Sequence, residues 1–221
     1  MKIRACIFDL DGVIVDTAKY HYIAWRNIAR ELGFEFTEAH NDRLKGVSRM
    51  KSLEILLEVG GISLDEHTKE ALARRKNEEY LSYILRMTPE EILPGARDFL
   101  EKVRKAGIRT ALGSASKNSM TILQRLGIAG LFDAIIDGNK VTKAKPDPEI
   151  FLKGAEAIGI PAADCVVFED AEAGVEAARA AGMRCIGIGS PAILGKANAV
   201  IPGFMDFDLE RMHELLGMSR Q

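Results

Sequence analysis

The chain has 221 residues, of which 47% are hydrophobic and 28% are charged, and its formal net charge is -2. This composition is typical of a globular protein, and the mild negative charge argues against a nucleic-acid surface. No apolar run is long enough to cross a membrane, so we expect no membrane partner.

The three cysteines, Cys6, Cys165 and Cys185, lie in apolar, strand-like runs. An odd number of cysteines in such runs favours buried, reduced thiols over disulfides. The segment from Met1 to Arg4 leads directly into a strand, so we expect no signal peptide. These features predict a cytoplasmic protein, and the moderate size and mild charge are compatible with a monomer.

The first predicted element is a short, continuously apolar strand over residues 5–8. Asp9 and Asp11 follow it directly, and Gly12 allows the backbone to turn. In an open parallel sheet, the ligand crevice lies at the carboxyl ends of the strands. One carboxylate there can attack phosphorus, and the other can move a hydroxyl proton. The structural alternative is an Asx turn or a helix N-cap, with Asp16-Thr17 capping the next helix.

The next region, residues 17–88, has helical patterns and no convincing strand. The predicted helices cover residues 18–32, 51–57 and 65–85. Ser48 is a plausible N-cap for the second of them. A helical block between the first strand and the remaining strands predicts an inserted cap domain over residues 17–88. The core domain would then consist of residues 1–16 and 89–221.

From Pro94-Gly95 onward, helical and strand patterns alternate. The predicted strands are residues 108–112, 134–136, 165–168, 184–188 and 199–201, and the predicted helices are residues 97–105, 119–126, 148–158 and 173–181. Such alternation predicts an α/β fold in which a Rossmann-like, doubly wound parallel sheet forms the core and carries the inserted α-helical cap. The tail after Pro202 shows no functional signal.

Acidic and hydroxyl side chains follow most of the predicted strands. They are Asp9 and Asp11, Ser114 and Ser116, Asp137, Glu169 and Asp170, and Ser190. A crevice lined in this way suits a hard divalent cation such as Mg²⁺ together with a phosphate. Lys145 precedes Pro146-Asp147-Pro148, which constrains the loop, and it could neutralise that phosphate. The structural alternatives are an acidic pair at a helix N-terminus for Glu169-Asp170 and an exposed loop lysine for Lys145.

The set Asp9-Leu10-Asp11-Gly12, Ser114, Lys145-Pro146 and Glu169-Asp170 resembles the four motifs of the haloacid dehalogenase superfamily of phosphotransferases. The helical block adds residues that are similar to those of the sugar-phosphate mutases within that superfamily. These are Thr17, Tyr20-His21, Ala24-Trp25, Leu44-Lys45-Gly46-Val47-Ser48-Arg49, Ser52-Leu53 and Arg75-Lys76-Asn77, with Ser114-Ala115-Ser116-Lys117-Asn118 in the core.

The resemblance implies a role for each matching residue. Asp9 would become the aspartyl phosphate, and Asp11 would be the general acid and base. Mg²⁺ would be held by Asp9, the backbone carbonyl of Asp11 and Asp170, with Glu169 at or beside the metal. Ser114 and Lys145 would hold the transferring phosphoryl group. The second phosphate would be held by Arg49, Ser116, Lys117 and Asn118. The cap side would be lined by Lys45, Gly46, Val47, Lys76, His21 and Trp25, with Thr17 at the hinge.

The implied reaction converts β-D-glucose 1-phosphate into D-glucose 6-phosphate through β-D-glucose 1,6-bisphosphate. A mutase must hold a bisphosphate by both ends, and the fixed guanidinium of Arg49 suits the second phosphate. The alternatives are a Mg²⁺-dependent phosphatase with the same core, a mutase for another hexose or a disaccharide phosphate, and a non-catalytic sugar-phosphate-binding module. The intact pair Asp9 and Asp11 argues against the last of these.

Several cap residues also have structural alternatives. Trp25 could belong to the core, His21 could lie on the surface, and Arg49 could pair with Glu54 or another acidic residue of the cap. Two departures from the pattern of the mutases are visible. Val15 replaces a frequent threonine, and the segment Asp137-Gly138-Asn139-Lys140-Val141 differs from that pattern. The second departure leaves the conformation of the loop before Lys145 open.

Overall fold

The structure is a computed structural model that describes residues 2–217. Within this range the strands are β1 (Ala5–Phe8), β2 (Arg109–Gly113), β3 (Ala134–Ile136), β4 (Cys165–Glu169), β5 (Arg184–Ile188) and β6 (Ala199–Ile201). The helices are α1 (Ala18–Glu31), α2 (Glu38–Asp42), α3 (Arg49–Gly60), α4 (Glu66–Ile84), α5 (Ala96–Lys105), α6 (Ser119–Arg125), α7 (Glu149–Ala157), α8 (Glu172–Ala180), α9 (Pro191–Leu194) and α10 (Leu209–Leu215).

The strands form one parallel sheet in the order β3-β2-β1-β4-β5-β6. This is the order of a doubly wound sheet, in which the direction of winding reverses beside the first strand. β1 pairs with β2 on one side and with β4 on the other, and Phe8 is in register with Leu112 and Phe168. The predicted α/β fold is therefore confirmed, and the carboxyl ends of β1, β2 and β4 meet at the reversal point.

Alternating residues of β1 face two separate apolar clusters, as the period of an extended strand requires. Cys6 and Phe8 belong to one cluster, in which the Phe8 ring stacks on Phe168 at 4.9 Å between centroids. Ala5 and Ile7 belong to the cluster on the other face of the sheet. Because every residue of β1 is fully buried, the strand fixes rigidly the position of the side chains that follow it.

Helices α1 to α4 lie between β1 and β2 and share a third apolar cluster that includes Trp25, Leu53 and Leu72. Ser48 caps α3 by accepting a hydrogen bond from the backbone N–H of Lys51, as its position predicted. The structure has no strand in residues 17–88, and it adds α2, which the sequence pattern did not reveal.

The C-terminal segment contributes to the core rather than trailing from it. Phe204 and Phe207 are buried in the same cluster as Phe8, and the short helix α10 follows them. Sequence reasoning found no role for residues after Pro202, yet Phe204 also lines the main cavity of the protein. Among the described residues, no helix combines the length and the apolar character needed to span a membrane.

Candidate active site

Three carboxylates lie together at the carboxyl ends of β1 and β4. Asp9 follows β1, Glu169 ends β4, and Asp170 comes next in the chain. One oxygen atom from each carboxylate lies within 4.8 Å of the others. Burial is the main reason that the pKa of Asp170 is raised well above its usual value, and the negative charges of Glu169 and Asp9 add to the shift. The cluster therefore has more negative charge than its buried surroundings favour.

Lys145 lies between two of these carboxylates. Its Nζ donates to Asp9 Oδ1 at 2.5 Å and to Glu169 Oε2 at 2.8 Å, and the residue is only 4% exposed. Burial alone would lower the pKa of Lys145, but the charges of Asp9 and Glu169 raise it above its usual value. Lys145 is therefore a fixed cation beside Asp9, and the alternative of an exposed loop lysine is excluded.

Glu169 is fully buried, and both of its carboxylate oxygens have partners. Oε2 accepts from Lys145, and Oε1 accepts from the backbone N–H of Ala171 at 3.2 Å. A Cβ atom at Gly174 in α8 would overlap the Glu169 carboxylate, so only glycine leaves room for it. These contacts indicate that the main role of Glu169 is to orient Lys145.

The Asp170 carboxylate lies close to the Asp9 carboxylate, and it also packs directly against the backbone of Gly12. Gly12 has a φ angle of +76°, and a Cβ atom there would overlap Asp170 Oδ2. The carboxylates of Asp9 and Asp170 are oxygen ligands of the kind that hard divalent cations prefer. Since a cation at this point would also offset the charge that raises the pKa of Asp170, the residues present fit a divalent metal ion.

Asp11 is positioned by a chain of hydroxyl groups. Thr17 Oγ1 donates to Asp11 Oδ1, and the Tyr80 hydroxyl on α4 donates to Thr17 Oγ1 at 3.2 Å. Burial and the nearby charge of Asp9 raise the pKa of Asp11 to about 7. A carboxyl group with this pKa can exist in either protonation state near neutral pH, which suits acid–base chemistry. Thr17 is the N-terminal flanking residue of α1, but its hydroxyl binds Asp11 instead of capping the helix.

Lys76 on α4 and His21 on α1 lie close together in the helical block. Lys76 is 2% exposed, its Nζ lies 2.5 Å from His21 Nδ1, and it lies over the rings of Trp25 and Tyr80. The His21 ring stacks on Tyr80 at 4.1 Å. Burial and the positive charge of Arg49 lower the pKa of Lys76 to about 7. Trp25 is 1% exposed and packs in the apolar cluster of α1 to α4, so it belongs to the core of the helical block and also lines the cavity.

Arg49 is the first residue of α3 and is half-buried. Within residues 2–217 it forms no ion pair, and Glu54, the partner considered from the sequence, pairs with Lys51 instead at 2.9 Å. Burial lowers the pKa of Arg49 from its usual value. Lys45 lies nearby in the chain and is exposed, and its Nζ forms an ion pair with Asp42 Oδ1 at 3.1 Å.

The loop from Ser114 to Asn118 follows β2 and faces the same space. Ser114 Oγ accepts from the backbone N–H of Ser116, and Ser116 Oγ accepts from that of Asn118, each at 3.2 Å. The side-chain amide of Asn118 donates to Asn77 Oδ1 on α4 at 2.9 Å. This bond directly joins the helical block to the sheet domain beside the cavity.

One cavity of about 1360 Å³ brings these groups together. All the predicted site residues line this cavity except Thr17 and Glu169. These two are hydrogen-bonded to residues that do line it, Thr17 to Asp11 and Glu169 to Lys145. Lys45, Gly46 and Val47, which precede α3, line the cavity together. The structure therefore gathers into one site residues that are as far apart in the chain as Asp9 and Asp170.

Sequence reasoning missed several residues that support the site. Tyr80, Asn77, Glu149 and Gly174 had no individual signal, although Asn77 belongs to a segment that was singled out. Glu149 Oε2 accepts three hydrogen bonds from Thr142 and Lys143, including one from each backbone N–H, and it thereby holds the loop that leads to Lys145. Gly174 is an isolated glycine inside a helical pattern, and this was the one local sign that another group, here the Glu169 carboxylate, approaches the helix closely.

Comparison with known proteins gives a family and several full-length relatives. The family model of haloacid dehalogenase-like hydrolases matches residues 3–182. A β-phosphoglucomutase of Bacillus subtilis is 43% identical over 213 residues, which cover 96% of this chain and 94% of the relative. A phosphorylated carbohydrates phosphatase of Thermotoga maritima is 35% identical over 83% of each chain. The crystal structure of a β-phosphoglucomutase from Clostridium difficile aligns over 97% of each chain with a TM-score of 0.93 and 42% identity.

Proposed function

Because this chain belongs to the haloacid dehalogenase-like hydrolase family, we propose that its carboxylate site transfers phosphoryl groups to and from a sugar. The reaction is the interconversion of β-D-glucose 1-phosphate and D-glucose 6-phosphate through β-D-glucose 1,6-bisphosphate. The relatives from Bacillus subtilis and Clostridium difficile, both β-phosphoglucomutases by name, support this choice of substrate.

Asp9 acts as the nucleophile and carrier. In the first half of the cycle, the 6-hydroxyl of β-D-glucose 1-phosphate attacks the phosphorus of phospho-Asp9, and the Asp9–phosphorus bond breaks. Asp11 accepts the hydroxyl proton. After the bisphosphate has turned round, an Asp9 oxygen attacks the phosphorus on the C1 oxygen, and Asp11 returns its proton to that leaving oxygen. Its pKa of about 7 suits both directions.

Lys145 and Ser114 hold the phosphoryl group during each transfer. Lys145 lies 2.5 Å from Asp9 in the present structure, so it is close enough to contact a phosphoryl group bound to that carboxylate. Ser114 is 1% exposed at the end of β2, and it lines the cavity beside Asp9. Fixed groups of this kind stabilise the transition state without reorganisation.

A divalent cation completes the site, and we propose Mg²⁺. It would be held by Asp9, Asp170 and the backbone carbonyl of Asp11. Glu169 would lie beside it, with one carboxylate oxygen bonded to Lys145. When bound, the cation offsets the repulsion between the carboxylates and the phosphate. Asp9, Glu169 and Asp170 are grouped within a few ångströms, which supports this assignment.

The observation that carries the mutase assignment is Arg49. It is a half-buried guanidinium that forms no ion pair in the described part of the chain, and it lines the same cavity as Asp9. A phosphatase needs one phosphate site, whereas a mutase needs a second one to hold the other end of the bisphosphate. Ser116, Lys117 and Asn118 line the same cavity, which supports their place in that second site.

Sugar-phosphate hydrolysis is the second candidate, because the Thermotoga maritima relative is named a phosphatase. An assay of isomerisation and phosphate release, run side by side on β-D-glucose 1-phosphate with Mg²⁺ and trace bisphosphate, tests the proposal. Isomerisation should exceed phosphate release. Phosphate release without isomerisation would favour hydrolysis, and Arg49→Ala should then have little effect on it.

The helices over residues 17–88 act as a cap in this proposal, and residues 1–16 and 89–221 form the core domain. Closure of the cap excludes water from phospho-Asp9. We also propose that the protein is a cytoplasmic monomer. Its three cysteines are free and buried, which suits a reducing compartment.

A further inference from the structure

The turn formed by residues 137–139 follows β3 and packs against the loop 114–118. Residues 116–118 of this loop hold the second phosphate in the proposed function. Gly138 N–H donates to the Ser116 carbonyl at 3.2 Å, and the Asn139 side-chain amide donates to the Lys117 carbonyl at 3.0 Å. The turn therefore binds two consecutive peptide groups of the loop. Nothing in the residue pattern of the turn predicted this contact.

These two bonds fix the direction of the N–H groups of the loop. In a trans peptide, the carbonyl of one residue and the N–H of the next point in opposite directions. The bond from Gly138 to the Ser116 carbonyl therefore directs the Lys117 N–H away from the turn. The bond from Asn139 to the Lys117 carbonyl fixes the next peptide group, whose Asn118 N–H donates to Ser116 Oγ at 3.2 Å and so holds the Ser116 side chain in place. The Lys117 N–H has no partner within residues 2–217, so it is available to an anion.

The turn is itself held rigidly. Asp137 is 7% exposed, its Oδ1 accepts from the Asn139 backbone N–H at 3.0 Å, and its Oδ2 accepts from the Asn139 side chain at 3.2 Å. A Cβ atom at Gly138 would overlap the Ala115 carbonyl oxygen, so only glycine permits this close approach. The side-chain amide of Asn139 is thus held on one side by Asp137 and directed on the other at Lys117.

We propose that Asn139 is a positioning residue for the second phosphate. It does not touch the substrate, since it does not line the cavity, and it acts through the Lys117–Asn118 peptide. Substrate recognition at Ser116, Lys117 and Asn118 then depends on a side chain that lies outside the cavity. This inference rests on the proposed function, because it assigns residues 116–118 to the phosphate that is not being transferred.

The test compares Asn139→Ala with a matched control, Lys140→Ala. Lys140 directly follows the turn and its side chain also donates to a backbone carbonyl, that of Ile135 at 2.6 Å, but it forms no hydrogen bond to the loop 114–118. The affinity for D-glucose 6-phosphate is measured by calorimetry with Mg²⁺ present. In parallel, the phosphorylation of Asp9 by acetyl phosphate and the subsequent release of phosphate are measured, since these steps use only the transfer site.

Asn139→Ala should weaken binding of D-glucose 6-phosphate by about three- to tenfold, the worth of one hydrogen bond, without changing phosphorylation or phosphate release. Lys140→Ala should match the wild type in all three measurements. Unchanged affinity in Asn139→Ala, or an equal loss of affinity and phosphorylation, would overturn the proposal. If Asn139→Ala does not fold, Asn139→Ser is decisive under the same criteria, because serine is too short to reach the Lys117 carbonyl.

The proposed function can fail independently of this inference. If the wild type binds D-glucose 6-phosphate but does not isomerise β-D-glucose 1-phosphate, the mutase assignment is wrong while the role of Asn139 is still measurable as affinity. If the wild type isomerises and Asn139→Ala has normal affinity, the role of Asn139 is wrong and the mutase assignment stands.

Discussion

The Thr17 hydroxyl donates a hydrogen bond to the Asp11 carboxylate, and this bond joins the start of α1 to the loop after β1. The same hydroxyl accepts from Tyr80 on α4, so two helices of the cap contribute to the orientation of the proposed general acid and base. The position of the cap and the geometry of Asp11 are therefore linked through a single side chain.

Replacing Thr17 by Val should lower the rate of isomerisation by roughly tenfold, because the isosteric side chain cannot donate to Asp11. Phosphorylation of Asp9 by acetyl phosphate should persist. Tyr80→Phe removes only the outer bond, so it should have a smaller effect. Steady-state kinetics of the three proteins check the order. Equal rates for Thr17→Val and the wild type would show that the bond does not orient Asp11 for catalysis.

The division of labour between Asp9 and Asp11 gives a second prediction. Asp9→Asn should form no phosphoenzyme with acetyl phosphate, because the amide is a poor nucleophile. Asp11→Asn should fold and still bind the bisphosphate, since its role is to move a proton. Intact-mass spectrometry distinguishes the two variants. Detection of a phosphoryl group on Asp9→Asn would contradict the assignment of the nucleophile.

The Arg49 assignment predicts a split between two activities. Arg49→Ala should abolish most isomerisation, because the phosphate of the bisphosphate that is not being transferred loses its bond to the guanidinium. Hydrolysis of the phosphoenzyme should survive, since it needs only the groups around Asp9. Lys51→Ala, a change of an exposed cation in the first turn of the same helix, is the control. Equal loss of both activities in Arg49→Ala would argue against a second phosphate site there.

Close packing behind Glu169 gives a prediction about stability. Alanine at Gly174 would ordinarily favour helix α8 by about 1 kcal/mol, but its Cβ would overlap the Glu169 carboxylate. Gly174→Ala should therefore destabilise the protein by roughly 1–3 kcal/mol. Gly130→Ala is the control, because no atom lies within 4 Å of its added Cβ. Urea unfolding measures both, and a stable Gly174→Ala protein would mean that Glu169 can move freely.

The strands and most helices could be predicted because local signals were strong. The predicted strand 184–188 begins two residues after Gly182 and is followed by Gly189-Ser190, and β5 has the same ends as the prediction. Helix α2 has only five residues, which is too few to show a helical period. The contact of Lys145 with Asp9 joins residues 136 positions apart, so its distance depends on the whole sheet. The motif predicted which residues meet, but it could not predict that Lys145 already bridges two carboxylates.

The lowered pKa of Lys76 predicts how stability depends on pH. Burial is the main cause that lowers the pKa of Lys76 to about 7, and the positive charge of Arg49 is the second. The negative charges of Asp11 and Glu79 act in the opposite direction. His21, which faces Lys76, adds no compensating charge, because burial lowers its own pKa well below the usual value. An unfolded lysine titrates near 10.4, so between about pH 7 and pH 10.4 the unfolded chain binds more protons than the folded one. Stability due to this group must therefore rise with pH across that window.

Lys76→Met keeps the apolar stem and removes the charge, so it should stabilise the protein by a few kcal/mol below pH 7. The advantage should shrink steadily as the pH rises from about 7 toward 10.4. Urea unfolding at pH 6, 8 and 9.5 measures the difference from the wild type, with the exposed Lys51→Met as a control that should show no such trend. A difference that stays constant across this range would mean that Lys76 is charged in the folded protein at every pH tested, and that the cavity itself compensates for that charge.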